Sequence, residues 1–213
     1  VDTQVPSLTI TSPIQDGFVN SADVTVTWSG SDAGTGIAYY IVSIEGLGFI
    51  NTTGTSHTFN DLADGTYTVL VSAYDHLGNY LDVTATFTVD TVVPTLAIDS
   101  PTDGQMFNVS SVSITWSTTD DNPGTVQVRF DEEGWVLATG EEFIRTALTE
   151  GHHIAYVKVT DAAGNYLERA VNFTVDTIAP TVAFVSPEDG AFVDSSTGTV
   201  EWATDEGSSS VRV

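Results

Sequence analysis

Apolar and polar residues alternate along this chain with a period of two. Val24, Val26 and Trp28 are separated by Thr25 and Thr27, and Tyr67, Val69, Val71 and Ala73 by Thr68, Leu70 and Ser72. Successive side chains of a strand point to opposite faces, so the pattern predicts strands with one face in a core and the other in water. On the same grounds His153, Ala155, Val157 and Val159 are predicted to face inward, and Ile154, Tyr156 and Lys158 outward. Turn signals separate such runs: Gln15-Asp16-Gly17, Ala63-Asp64-Gly65 and Thr102-Asp103-Gly104. No segment has a convincing helical period. About seven short strands per repeat predict an all-β fold of Greek-key sandwiches, and the abundance of valine and threonine agrees.

The pattern also repeats over a longer step. Val1-Asp2-Thr3-Gln4-Val5-Pro6 recurs as Val89-Asp90-Thr91-Val92-Val93-Pro94 and as Val175-Asp176-Thr177-Ile178-Ala179-Pro180, with 88 and then 86 residues between the aspartates. Ser12-Pro13, Ser100-Pro101 and Ser186-Pro187 keep the step, as do Trp28, Trp116 and Trp202. Asp75-His76-Leu77-Gly78-Asn79 matches Asp161-Ala162-Ala163-Gly164-Asn165. Self-similarity at a fixed period marks a tandem array. The expected units are residues 1–88, 89–174 and 175–213, the last an incomplete third repeat. The junctions lack a Gly/Ser tract, which predicts a stiff rod of about 35–40 Å per repeat. In the third unit, Val182, Phe184, Val200 and Trp202 belong to a core whose second sheet is missing, the chain stopping at Ser210-Val211-Arg212-Val213. Either the sequence is an excerpt of a longer polypeptide, or a neighbouring subunit completes the sandwich by strand addition.

Charge narrows the partners. The chain has 29 acidic residues against 5 basic ones, for a net charge of −24, and Lys158 is its only lysine. Such a surface repels phosphate backbones and anionic lipid, which argues against nucleic acid and membrane surfaces. It suits a cation-rich exterior, through general solubility or through specific cation binding. Apolar runs such as Val69-Leu70-Val71 are too short for direct membrane insertion, and any export signal is expected to have been removed or to lie outside this stretch. Cysteine is absent, so disulfides, thiolate metal sites and cysteine nucleophiles are excluded.

The stretch Val24-Thr25-Val26-Thr27-Trp28-Ser29-Gly30-Ser31-Asp32 resembles the second strand of bacterial and archaeal immunoglobulin-like tandem repeats. Leu62-Ala63-Asp64-Gly65-Thr66-Tyr67, which looks like a tyrosine corner, and the Asp-x-x-Gly-Asn hairpins extend the likeness over both complete repeats and the start of the third. The resemblance implies tandem immunoglobulin-like β-sandwiches of a cell-surface protein of the adhesin or S-layer type, and says little about role. The second repeat departs from the pattern by placing His153 where Tyr67 stands. An imidazole can replace the phenol's hydrogen bond, so His153 is read as a structural core substitution with His152 pointing outward.

The aspartates are the constellation with chemistry. Sandwich topology gathers Asp90, Asp120, Asp121, Asp161 and Asn165 at one end of the second repeat, with Asp16, Asp61 and Asp64 contributed by the facing end of the first. Asp2, Asp32, Asp75 and Asn79 form the matching set of the first repeat. Hard oxygen ligands from several loops are what Ca²⁺ requires, so calcium at the junction is one reading. The other is that Asp-x-x-Gly-Asn is simply a good hairpin turn, its aspartate accepting backbone N–H groups. Asn51, Asn108 and Asn172 open N-glycosylation sequons, and Asn172, between inward Val171 and Phe173, is expected to be exposed.

Enzymatic readings lack the necessary groups. His57, His76, His152 and His153 sit in no motif pairing them with a serine and an acid, and no glycine-rich phosphate loop follows a strand. Trp135 breaks the repeat pattern, which suits either edge-strand packing or stacking on a carbohydrate. The expected function is mechanical: an extracellular spacer or scaffold in a cell-surface stalk, sheath, filament or S-layer, with neighbouring repeats or subunits as partners. The alternative is a set of accessory, glycan-binding modules of a large secreted hydrolase.

Overall fold

The computed structural model describes residues 1–192 and 200–205. The first sandwich comprises β1 (Ser7–Ser12), β2 (Gly17–Val19), β3 (Val24–Ser31), β4 (Ile37–Ile44), β5 (Phe49–Thr52), β6 (Ser56–Phe59), β7 (Gly65–Asp75) and β8 (Tyr80–Val89). The second repeats this order as β9 (Thr95–Ser100), β10 (Gln105–Phe107), β11 (Val112–Thr119), β12 (Thr125–Phe130), β13 (Val136–Ala138), β14 (Glu142–Arg145), β15 (Gly151–Thr160) and β16 (Tyr166–Val175). In each, a three-stranded sheet (β1-β3-β6; β9-β11-β14) faces a five-stranded one (β2-β8-β7-β4-β5; β10-β16-β15-β12-β13). These are tandem immunoglobulin-like β-sandwiches.

Alternation in the sequence becomes burial in the sandwich. Val24, Val26 and Trp28 on β3 meet Val69, Val71 and Ala73 on β7, and all six are buried. Val112, Ile114 and Trp116 meet Ala155, Val157 and Val159 in the same way. A fully buried valine or leucine contributes about 1.5–3 kcal/mol relative to an exposed one, so the inward rows decide the register. The three tryptophans spaced with the repeat share one pairing: Ile10 lies opposite Trp28, Ile98 opposite Trp116, and Phe184 opposite Trp202.

The strand beyond the expected seven is the short β2 or β10. After the cis Ser12-Pro13 or Ser100-Pro101 bond the chain crosses to the other sheet and pairs in parallel with the end of β8 or β16. Val89 and Val175, expected to open the next repeat, are buried in the cores they terminate. Beyond Val175, β17 (Val182–Ser186) and β18 (Glu201–Thr204) pair antiparallel. Val182, Phe184 and Trp202 on these strands, and Val200 just before β18, are all exposed, and among the described residues no second sheet covers the pair. Ser210-Val211-Arg212-Val213 lies outside the described residues.

Candidate functional site

The hairpin joining β15 to β16 carries the densest polar network. Asp161, 5% exposed, accepts the Asn165 backbone N–H on one carboxylate oxygen and the Asn165 Nδ2 on the other, both at 2.8 Å. Gly164 takes φ +93° to close the turn. Asn165 Nδ2 also donates to the Asp90 carbonyl at 2.8 Å, fastening the hairpin to the chain entering the sandwich. Asp90, likewise 5% exposed, receives Val92 N–H at 3.1 Å and Asn122 Nδ2 at 2.8 Å. Asp120 accepts Asn122 N–H at 2.8 Å.

Carboxylate oxygens of Asp90, Asp120 and Asp161 all lie within 4.8 Å of one another. Asp2, Asp32 and Asp75 form the corresponding trio in the first sandwich. There Asp75 binds Leu77 N–H, Asn79 N–H and Asn79 Nδ2 at 2.7–2.8 Å. Burial alone pushes the Asp75 carboxyl up, but these bonds, led by the Asn79 side chain, outweigh it and hold the group below the usual carboxylate range. Asp32 accepts N–H from Gly34 and Gly36, and Asp2 from Gln4 and Thr35. Asp2 lies so close to Gly34 that a Cβ there would come within 1.9 Å of its carboxylate.

Three mutually close carboxylates repel one another unless a cation lies among them. Among the described residues the ion pairs are Arg145–Glu133 and His153–Asp131, and neither reaches a trio. Oxygens binding one Ca²⁺ at about 2.3–2.6 Å lie no more than about 5 Å apart, so the spacing suits a shared hard cation. The turn hydrogen bonds and the carboxylate cluster, which the sequence set against each other, coexist.

The remaining expected ligands are placed differently. Asn79 and Asn165 turn their amide nitrogen toward the carboxylates, because only an NH₂ can donate to two acceptors at once; they position the aspartates. Asp121 is exposed and outside the trio. Asp16 is bound to Gln15 and Thr86 within its own sandwich, and Asp61 takes φ +58° in a turn where its N–H donates to Asp23.

Asp64 instead clamps the joint, accepting both N–H and Oγ1 of Thr91 at 2.9 Å. At the next joint Glu150 grips Thr177 N–H and Oγ1 in the same fashion, and these bonds hold its carboxyl below the usual range. Glu150 was not singled out from sequence, although Glu150-Gly151 occupies the place of Asp64-Gly65. Asp64 shares with Asp120 and Asp121 a joint cleft of about 560 Å³. Asn20 reaches across the joint, 3.9 Å from where a Gly164 Cβ would lie.

Asn172, expected to be exposed, is half-buried, and its backbone N–H and Nδ2 both donate to Asp103, because the carboxylate folds over that stretch of strand. Asn108 is exposed in the loop after β10, and Asn51 is exposed on edge strand β5. His152 is exposed and His153 buried. Trp135 lies on the outer sheet face with Arg129 and Lys158 against its ring. Among the described residues no helix is long and apolar enough to cross a membrane.

Residues 94–177 match the family model of glucodextranase, domain B. Over 204 residues the chain is 31% identical to part of exoglucanase B from Cellulomonas fimi, covering 85% of this chain and 18% of that protein. Over 195 residues it is 29% identical to part of chitinase A1 from Niallia circulans, covering 85% of this chain and 27% of the relative. The chain thus spans a small part of the length of the curated relatives it matches. Among solved structures, the fibronectin(III)-like modules of Clostridium thermocellum CbhA superpose with a TM-score of 0.57 at 19% identity, covering 79% of this chain and 94% of that one. That likeness concerns the fold.

Proposed function

We propose that these sandwiches are non-catalytic spacer modules of a larger polysaccharide-degrading polypeptide, acting outside the cell where polymeric substrates lie. The observation that carries this reading is the match, over 85% of the chain, to parts of an exoglucanase and a chitinase. It favours a hydrolase over the adhesin or S-layer setting, while the mechanical role is common to both. A spacer must hold its neighbours at a fixed separation, and the joint has two devices suited to that. Asp64 ties Thr91 to the sandwich before it. Calcium shared by Asp90, Asp120 and Asp161 would tie the adjacent residue to the sandwich after it, and Asp2, Asp32 and Asp75 would hold a second ion.

The test is deletion of residues 1–174 from the full-length polypeptide. Turnover of a short soluble oligosaccharide should be unchanged, and turnover of insoluble polysaccharide should fall several-fold. Equal loss on both substrates, or loss on neither, would rule the spacer role out.

A further inference from the structure

Two of the chain's five basic residues lie near one another on a solvent-facing sheet and neither forms an ion pair, although Glu168 stands across the strands from Lys158. Arg129 on β12 and Lys158 on β15 belong to a chain with 29 acids, yet the ion pairs among the described residues involve neither. Both are held against aromatic rings instead. The Arg129 guanidinium lies 4.1 Å from the Tyr156 ring centroid and 5.0 Å from that of Trp135. The Lys158 ammonium lies 5.7 Å from Trp135 and 5.2 Å from Tyr166. Cations and rings therefore interleave across the sheet, with Tyr166 exposed at one end. Arg129 Nε is buried without a hydrogen-bond partner.

The fold itself does not demand this arrangement. In the first sandwich the same register positions are Ser43 opposite Leu70, and Ser72 opposite Asp82, where the second has Arg129 opposite Tyr156 and Lys158 opposite Glu168. Phe49 stands in place of Trp135. Serines serve a solvent face adequately, so the cations and the tryptophan are particular to the second module.

We propose that this outer face binds a carboxylate-bearing polysaccharide, with uronate carboxylates on Arg129 and Lys158 and pyranose faces on Trp135 and Tyr166. Charge complementarity selects the occupant. On a surface of net charge −24 an anion is repelled almost everywhere, and the ladder offers it two unpaired cations. A planar guanidinium already ordered by stacking presents its free N–H groups to a carboxylate with little further loss of freedom. The flanking rings ask for a ligand with flat apolar faces, which a sugar has and an acidic peptide lacks. This surface goes beyond the spacer role and uses none of the Asp90, Asp120 or Asp161 carboxylates, so its failure leaves that role standing.

Affinity electrophoresis of the chain, in gels containing polygalacturonate, hydroxyethyl cellulose or polyglutamate, tests it. EDTA in every gel prevents calcium from bridging the polyanion to the acidic protein. The expected result is retardation by polygalacturonate alone, weakened at least tenfold by Arg129→Ser with Lys158→Ser and by Trp135→Ala. The serine pair installs what the first sandwich carries at these positions, and unchanged circular dichroism and melting would show that the fold survives. No retardation by polygalacturonate would overturn the proposal. So would retardation by hydroxyethyl cellulose that persists in the serine pair, or equal retardation by polyglutamate that Trp135→Ala leaves intact.

Discussion

His153 Nε2 donates to the Thr149 carbonyl four residues back at 2.9 Å, just as Tyr67 Oη donates to the Ala63 carbonyl at 2.8 Å. Each ring also stacks on the phenylalanine of the neighbouring strand, Phe173 or Phe87. The imidazole has a second nitrogen, and its Nδ1 lies 2.8 Å from an Asp131 carboxylate oxygen. Both partners are acceptors, so the arrangement favours the doubly protonated, charged ring. Burial opposes that charge, but the Thr149 bond and then Asp131 outweigh it, raising the pKa above the usual 6.5. For Asp131 burial is likewise outweighed, by the bonds from His153 and Ile154, and its carboxyl is held low.

A raised histidine pKa stabilises the fold fully below the unfolded value and loses that contribution as pH rises through the folded one. A depressed aspartate pKa acts from the acid side, its contribution disappearing as pH falls through the lowered value. The second sandwich should therefore lose stability as pH rises from the unfolded histidine value of about 6.5 through the raised folded one, while the first, with Tyr67 at the corner, lacks this transition. His153→Phe should cost about 2 kcal/mol at pH 6, the scale of hydrogen bonds to a charged group. It should also flatten the profile. His153→Tyr should flatten it at smaller cost, since the first sandwich already accommodates that ring. Urea melts of the isolated second sandwich across this range provide the measurement. A pH-independent wild-type midpoint would refute the assignment.

The Asp-x-x-Gly-Asn hairpin is the element on which stability and ion binding meet. Its turn bonds are made between the protein's own groups, so calcium should add to an already folded module. At a hundred times its Kd, a ligand specific to the folded state contributes about 2.7 kcal/mol, or roughly 10–20 °C of melting midpoint for a module of this size. Asp161→Asn should abolish that shift while leaving the EDTA midpoint little changed, because one of three repelling charges is gone. Calorimetry of metal-stripped protein with and without calcium is the check, and coincident wild-type midpoints would exclude the ion.

How far these elements are readable from sequence differs by residue. Asp75 with Asn79 and Asp161 with Asn165 are local motifs at fixed spacing, so their hairpins were legible. Alternation likewise placed the inward residues of β3 and β15 and the apolar inward ones of β7, although Ser72 on the opposite row and Asp75 at the strand's end are buried as well. What each acid does at the joint was not legible, because it depends on which loops abut. Asp64 is indistinguishable from a metal ligand until its partner Thr91 is seen. The sequon at Asn172 could not reveal that Asp103, 69 residues away, occupies its amide.

At the scale of the whole molecule the question is what fixes one sandwich on the next. Only five residues separate Val89, which ends β8, from Thr95, which begins β9, and several of them are anchored. Asp90 N–H donates to the Val19 carbonyl at 2.9 Å, Thr91 is gripped by Asp64, and the Asp90 carbonyl takes Asn165. Like charge on both sandwiches further disfavours folding back, although salt screens this beyond about 8–10 Å. The clamp holds the linker from one side and the proposed ion would hold it from the other, so loss of either alone should loosen the joint partly and loss of both should free it. Because the chain has no cysteine, Thr53→Cys with Glu141→Cys places one spin label on each sandwich without competing sites. The calcium-loaded protein should give a narrow distribution of label separations. EDTA alone or Asp64→Ala alone should broaden it modestly, and the two together far more than either. A distribution already broad in the calcium-loaded wild type would mean that the modules swivel independently, and a joint of that kind transmits no fixed spacing.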